Sequence, residues 1–405
     1  MPLPQKAGRP PKLSSPTQAF SYSGGELRRA LPEGSPLRSV VVDGVIFQLQ
    51  RGSPFGISRL WHCLLSELGQ GPLAGRILML DRAGTAPPIA GIERRSIPAF
   101  RLGGAASEAN ALDAVCREAC AGLFLSTYYT CTRETPSLLM VYDMIPERFG
   151  TVGPDAPSPE WRDKHWAIMN SGAFAAISES TARDLARFYP AATAGRPAAV
   201  IPCAVSEGFH PPSPERIQTF LRGRGIERPY FFLVGRRDPH KNVRLFFEAF
   251  ARLADPERYA IVMAGGRGEL DPAFRSLAAG ADIHLGFFPE PELPLLYGGA
   301  LALVYPSRCE GFGLPLLEAM RCGCPLITCH NSSLFEVARH AALYVGEDDA
   351  PALAKSLADV QRPQVRDYLV RSGVDRSRRY SWKRSAHLLF EAIDARLRSR
   401  RRSVA

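Results

Sequence analysis

Two carboxylates, Glu310 and Glu318, stand on either side of a glycine-rich turn with seven residues between them. The turn is Glu310-Gly311-Phe312-Gly313-Leu314-Pro315, directly after an apolar run at 301–307. Pro315 suits the first turn of a helix that carries Leu316, Leu317, Glu318, Ala319 and Met320. Strand, turn and helix in that order aim free backbone N–H groups and a positive dipole end at any anion above them. Gly311 and Gly313 would let a ligand come close to the backbone. Carboxylates are poor partners for the anion itself. They are suited to hydroxyls on its two sides, as the sugar and the ribose stand around a diphosphate. A plain core role is not expected for either, because an unpaired buried carboxylate is costly.

A second group supplies positive charge. Phe231-Phe232-Leu233-Val234-Gly235-Arg236-Arg237-Asp238-Pro239-His240-Lys241-Asn242 reads as strand, turn and helix, with Arg236 and Lys241 near the carboxyl edge of the strand. Open α/β sheets bind ligands on that side. An Arg grips phosphate oxygens in pairs and a Lys neutralises them as a point charge. Cys322, Cys324, Cys329 and His330 have no common zinc spacing and read as small core residues beside a strand, so no metal site is expected.

Short apolar runs alternating with helix-like segments must position these groups. The first half has runs at 39–43, 76–80, 123–126, 137–142, 173–178 and 198–202. The second has runs at 230–235, 259–265, 282–286, 301–307, 325–329 and 342–345. The runs are continuous, as in parallel strands covered by helices on both faces. Ser213-Pro214 offers an N-cap and a first helical residue, so a helix begins there after a linker at 203–212. Asp348-Asp349 is expected to cap a helix.

The stretch E-G-F-G-L-P-x-L-E-A-M-x-x-G-x-P, followed by S-S-L-x-E-V, resembles glycosyltransferase family 4. These are retaining enzymes of GT-B fold, with two Rossmann-like domains facing a cleft. The resemblance extends over about residues 40–400. Gly235 to Asn242 is similar to the family's G-x-x-x-P-x-K-N element, which implies that Arg236 and Lys241 hold the donor diphosphate. Phe55-Gly56-Ile57-Ser58-Arg59 is similar to a G-G-I-S-R loop at the interdomain cleft, with Gly56 the matching glycine and Ser53-Pro54-Phe55 departing from the pair. Ala176 to Thr181 and Ile201-Pro202 also match. Val141-Tyr142-Asp143-Met144-Ile145-Pro146-Glu147 resembles H-D-M-I-P-E, with Tyr142 where a sugar-facing His is usual. Tyr142 and Asp143 are therefore expected at the sugar or acceptor.

Residues 1–38, rich in Pro, Gly, Ser and basic residues, are expected to form an extension, and the resemblance implies an acceptor-side domain over 39–202, a nucleotide-sugar domain over 213–380, and a final helix over 381–405 that crosses back and ends in a basic tail. Donor-binding residues are then Gly56, Arg236, Lys241, Glu310, Gly311, Phe312, Gly313, Leu314 and Glu318. Glu310, Arg236 and Lys241 are the catalytic candidates. Arg236, Lys241 and the helix start stabilise the leaving phosphate in place of a metal, so no cofactor is expected beyond the nucleoside-diphosphate sugar as co-substrate. The expected reaction moves a hexose, from a GDP-mannose-like or UDP-hexose donor, to a cell-surface glycan or lipid-linked acceptor. The rivals are a nucleotide-sugar epimerase, a glycan phosphorylase and a catalytically degenerate binding module.

The chain has 405 residues, enough for two domains, and a net charge of +10 that favours an anionic partner. Gly8-Arg9-Pro10 faintly resembles an AT-hook core, but a single GRP is common in basic tails and no nucleic-acid partner is expected. No run reaches the roughly 18 apolar residues of a spanning helix, which places the protein in the cytoplasm. Ala386, Leu389, Phe390, Ile393 and Leu397 share a helical face that leads into Arg396, Arg398, Arg400, Arg401 and Arg402. This is either a docked helix with a basic end or a contact with anionic membrane at its inner face.

Overall fold

The computed structural model describes residues 40–51, 56–150, 156–266, 268–278 and 280–404, with side chains as far as residue 399. The expectations for 1–38, for residues 52–55 and for the side chains of Arg400, Arg401 and Arg402 lie outside the described residues.

Two parallel sheets form the framework. The first has the order β3-β2-β1-β4-β5-β6-β7. Its strands are β1 Val40–Asp43, β2 Ile77–Arg82, β3 Ile92–Ile97, β4 Leu123–Ser126, β5 Ser137–Val141, β6 Ala173–Ala176 and β7 Ala199–Val200. The second has the order β10-β9-β8-β11-β12-β13. These strands are β8 Tyr230–Val234, β9 Ala260–Ala264, β10 Asp282–Gly286, β11 Ala302–Tyr305, β12 Leu326–Cys329 and β13 Leu343–Val345. Both orders run outward in two directions from the first strand, the doubly wound Rossmann arrangement, and leave a crevice where the order reverses. Those switch points lie between β1 and β4 and between β8 and β11.

Covering both faces of a strand calls for apolar side chains on both, and β1, β4, β5, β6, β9, β11 and β12 are buried along their whole length. The apolar runs therefore mark strands well. β3, with the sequence IERRSI, has no apolar run and was not expected. Its four middle residues are exposed, and it forms by pairing in parallel with β2 from Ile77 opposite Ile92 to Arg82 opposite Ile97.

Helix starts follow their caps. Ser213 precedes the Pro214–Gly223 helix, and the Asp349 side chain accepts from the Ala352 N–H at the start of the Ala350–Asp359 helix. The segment 203–212 between the sheets is packed, with Cys203, Ala204, Val205 and Phe209 buried. The Trp382–Val404 helix lies against the Ile57–Gly69 helix and against β4 and β7 of the first sheet, burying Ala386, Leu389, Phe390 and Ile393. Cys322, Cys324 and Cys329 are buried around β12, and burial pushes their thiols up.

Candidate active site at the edge of the second sheet

β8 ends at Val234 and β11 at Tyr305, and a pocket opens between their carboxyl ends. It is lined by Gly235, Arg236, Lys241, Val243, Tyr305 and Ser307, among others. The loop after β8 turns through the Pro239–Lys241 3-10 helix into the Val243–Phe250 helix. Asn242 makes the junction at φ 52° and ψ 38°, left-handed backbone that Asn tolerates better than most residues. Its amide donates to the Glu347 carbonyl at 2.8 Å. Lys241 is thereby held on a defined turn.

Lys241 Nζ donates to Glu310 Oε1 at 2.7 Å and to the Tyr305 hydroxyl at 2.8 Å. Burial works against the Lys241 charge, but Tyr305 and Glu310 outweigh it and hold the pKa above the ordinary lysine range. Burial likewise raises Tyr305, with Glu310 adding to it. This is an ion pair at a pocket wall, with an acid and a cation in contact. Arg236 lies beside it, 80% exposed, with Asp238 at 3.3 Å. An exposed guanidinium at that edge can reach an incoming phosphate without first giving up a buried partner. Ser307 was not anticipated. It lines the same pocket, and its buried Oγ has no hydrogen-bond partner among the described residues. A bound ligand would satisfy such an orphan.

The backbone of Glu310 is fixed from the next helix, Ser332–Ala338. Ser332 Oγ accepts from the Glu310 N–H at 3.1 Å, and Ser333 Oγ donates to the Glu310 carbonyl at 2.9 Å. Gly313 sits at φ +100° as the N-cap of the Leu314–Arg321 helix, a conformation that favours glycine. The Phe312 side chain is buried, edge-on to Tyr380 at 5.7 Å, and Leu314 packs partly on the core. Any ligand contact at Phe312 belongs to its backbone.

Several expectations need correction. Gly311 is not a point of ligand approach. A Cβ there would lie 1.9 Å from the Tyr142 carbonyl, so the first domain's own backbone occupies that space. Ser178 Oγ and Thr181 Oγ1 donate to the Gly311 carbonyl at 2.6 and 3.1 Å. Tyr142 does not face the cleft with its side chain. It is buried beside Tyr128 and Tyr129; its hydroxyl donates to the Thr127 carbonyl and accepts from Trp61 Nε1 at 2.6 Å. A phenol with an indole N–H and a carbonyl to satisfy is stable in the core, and that drew it inward. Burial also pushes its pKa up. Asp143 is half-exposed nearby, with Oδ1 accepting from the Ile145 N–H at 3.0 Å.

Glu318 is buried, and both its oxygens are engaged. Oε1 accepts from Arg59 Nη2 and Oε2 from the Tyr297 hydroxyl, each at 2.9 Å. Gly56, at φ +73°, opens the Ile57–Gly69 helix that carries Arg59, and the Gln50 side chain accepts from the Ser58 N–H there. Arg59 was visible in the sequence but had no role without knowledge of what faced it. His240 was also passed over. It is half-buried next to Lys241, and burial and the Lys241 charge lower its pKa.

Across the seam, the Glu336 carboxylate accepts from the Glu179 and Ser180 N–H groups at 3.0 and 3.1 Å, capping the Glu179–Phe188 helix of the first domain. The sequence stretches around Ser178 and Glu336 thus meet each other.

Comparison with known proteins bears on the family and the fold. Residues 219–368 match the family described as glycosyl transferases group 1. The O-antigen chain mannosyltransferase B of Escherichia coli is 33% identical over 189 residues, 44% of this chain and 50% of that protein. The match therefore spans half the length of that relative, and less of the O-antigen chain mannosyltransferase RfbU of Salmonella typhimurium, 32% identical over 33% of this chain and 38% of that one. Among solved structures, a sucrose-phosphate synthase from Thermosynechococcus elongatus superposes with a TM-score of 0.68 at 18% identity, over 89% of this chain and 99% of its own. Anabaena HepE in complex with UDP and glucose superposes at 0.64 and 14% identity, over 88% and 100%. The chain has the GT-B fold, and its residues 219–368 are a glycosyl transferases group 1 domain.

Proposed function

We propose that this protein transfers a hexose from a nucleoside-diphosphate sugar to a hydroxyl of a surface glycan or a lipid-linked acceptor. The observation that carries the reading is the Lys241–Glu310–Tyr305 cluster at the wall of a pocket that Arg236 overhangs. Mannose is the favoured sugar, since the first relatives are mannosyltransferases by name. As the bond from the anomeric carbon to the diphosphate breaks, negative charge grows on the leaving phosphate. Lys241, Arg236 and the Ser307 hydroxyl are the groups of this chain that meet it, in the place a metal takes in other transferases. Glu310 holds sugar hydroxyls and supports the positive charge at the anomeric carbon. Glu318 takes the ribose. Attack from the face the phosphate leaves, with that phosphate taking the proton of the acceptor hydroxyl, retains configuration and needs no protein nucleophile.

The test is release of nucleoside diphosphate from GDP-mannose and a set of UDP-hexoses, with and without acceptor glycans and a chelator. Transfer with retained configuration that survives the chelator is expected. Inert protein with every donor would leave the degenerate module as the reading, and conversion of the sugar without transfer would leave the epimerase.

No helix among the described residues is long and apolar enough to cross a membrane. We place the protein in the cytoplasm, where the basic end of the Trp382–Val404 helix meets anionic lipid at the membrane's inner face and brings the site to a lipid-linked acceptor. Each basic residue near such a surface contributes about 1 kcal/mol. Sedimentation with anionic vesicles that weakens with salt and on removal of 398–405 is the expected result.

A further inference from the structure

We propose that Arg59 is a positioning residue of the donor site, which makes recognition of the ribose conditional on the two domains being seated together. The proposal rests on the ribose role given to Glu318 above. Arg59 belongs to the first turn of the Ile57–Gly69 helix, in the domain that does not carry the Lys241–Glu310 pocket. Its guanidinium crosses the seam and meets two carboxylates of the other domain. Nη2 donates to Glu318 Oε1 at 2.9 Å, and Nη1 is 3.0 Å from Glu290 Oε1. Glu290 in turn accepts from Ser206 Oγ at 2.8 Å, in the segment that joins the two domains.

One cation thus ties Glu318, Glu290 and the interdomain segment to the first domain. Tyr297 holds the other oxygen of Glu318 from within the second domain, so Arg59 is what fixes the rotation of the carboxylate from outside it. The guanidinium is nearly buried, where charge-assisted hydrogen bonds are strong and directional. Burial opposes its charge, and the two glutamates outweigh that and raise its pKa. Its buried Nε has no hydrogen-bond partner among the described residues. If the domains part, Arg59 leaves with its helix, and Glu318 loses both its orientation and its charged partner. Ribose binding therefore reports closure.

The experiment is titration calorimetry of GDP, UDP and their 2′,3′-dideoxy analogues with the full chain and with Arg59→Met, Arg59→Lys and Glu290→Gln. The wild type is expected to prefer the ribonucleotide over its dideoxy analogue. Arg59→Met should lower affinity for the ribonucleotide roughly 10- to 100-fold and leave the dideoxy analogue unchanged, so that the preference disappears. Arg59→Lys, which keeps charge but not the fork, should restore part of it, and Glu290→Gln should lose part of it. Adding Glu318→Ala to Arg59→Met should cost nothing further. Preference in the wild type that survives Arg59→Met overturns the proposal alone. A rise in ribonucleotide affinity in Arg59→Met also overturns it, because Arg59 would then compete with the ribose. Equal affinities in the wild type remove the ribose role of Glu318 and the proposal with it. Thermal melting of each variant separates these results from a folding defect, and a variant that melts early is replaced by Arg59→Lys for the same comparison.

Discussion

At the end of β1, Asp43 meets Arg82 from β2, with Arg82 Nη2 and Nε donating to its two oxygens at 2.7 and 2.9 Å. At the carboxyl edge of the second sheet, Glu310 meets Lys241. Both are acid–base pairs at the edge where an α/β sheet binds ligands. The first is closed off: Asp43 is fully buried, Arg82 is 2% exposed, and Thr130 Oγ1 and Glu108 complete their hydrogen bonds. The second keeps an approach, with Lys241 18% exposed at the pocket, while the buried Ser307 hydroxyl behind it has no hydrogen-bond partner among the described residues. Opposite charges at a sheet edge do not by themselves make a site. What separates the two pairs is whether their remaining bonding capacity is already spent inside the protein.

The comparison is broken most severely through Arg82. Removing one partner of a buried pair leaves the other charge uncompensated, so Arg82→Met should cost about 3–5 kcal/mol of stability. Urea unfolding measures it, and turnover per folded molecule should be kept. A variant that unfolds like the wild type but turns over poorly would put Asp43 and Arg82 in the active site.

Lys241→Ala reverses the pattern. Loss of one group that stabilises transition-state charge lowers kcat about 100- to 1000-fold, and with Lys241 18% exposed against 2% for Arg82 the unfolding midpoint should move less than in Arg82→Met. Glu310→Gln is expected to do the same to transfer and to leave nucleoside-diphosphate affinity nearly intact. Steady-state transfer and calorimetry on the same preparations check both.

Tyr142 tests which side of the seam a residue belongs to. Tyr142→Phe leaves Trp61 Nε1 and the Thr127 carbonyl short of a partner, at about 1–3 kcal/mol. Rates across a donor panel should keep their order, since the hydroxyl does not reach the cleft. A changed sugar preference in Tyr142→Phe would return it to the donor.

The smallest effect is expected at Glu336. Loss of a helix cap costs about 0.5–2 kcal/mol, and this cap joins two domains. Glu336→Ala should therefore lower transfer and free ribonucleotide affinity modestly and together, since both need the domains seated. Unchanged ribonucleotide affinity beside slower transfer would show that the Glu336 cap does not hold the seam that Arg59 crosses.

Much of this was legible in residues 230–242 and 304–345 because local rules govern them. A glycine-rich turn between a strand and a helix has few conformations; Lys241 and Gly313 are the types such a turn needs beside an anion, and Glu310 the type that takes the hydroxyls next to it. Among the described residues, twelve of the thirteen strands stood out as apolar runs, most of them because burial on both faces demands it. β3 did not, since an edge strand in water is held by backbone bonds to β2 and carries Glu93, Arg94 and Arg95 outward.

Sequence by itself determined the doubly wound class, the turn chemistry around Lys241 and Glu310, and the capping residues, all of which depend on neighbours a few positions away. Tertiary structure alone decided the rest. Gly311 serves the Tyr142 carbonyl instead of a ligand, Tyr142 turns to Trp61, Glu318 is held by Arg59, and Glu336 caps a helix of the other domain. In each case the partner lies on another strand or helix, at separations such as the 259 positions between Arg59 and Glu318. A side chain's type states which bonds it can make, and only the folded chain brings up the group that takes them.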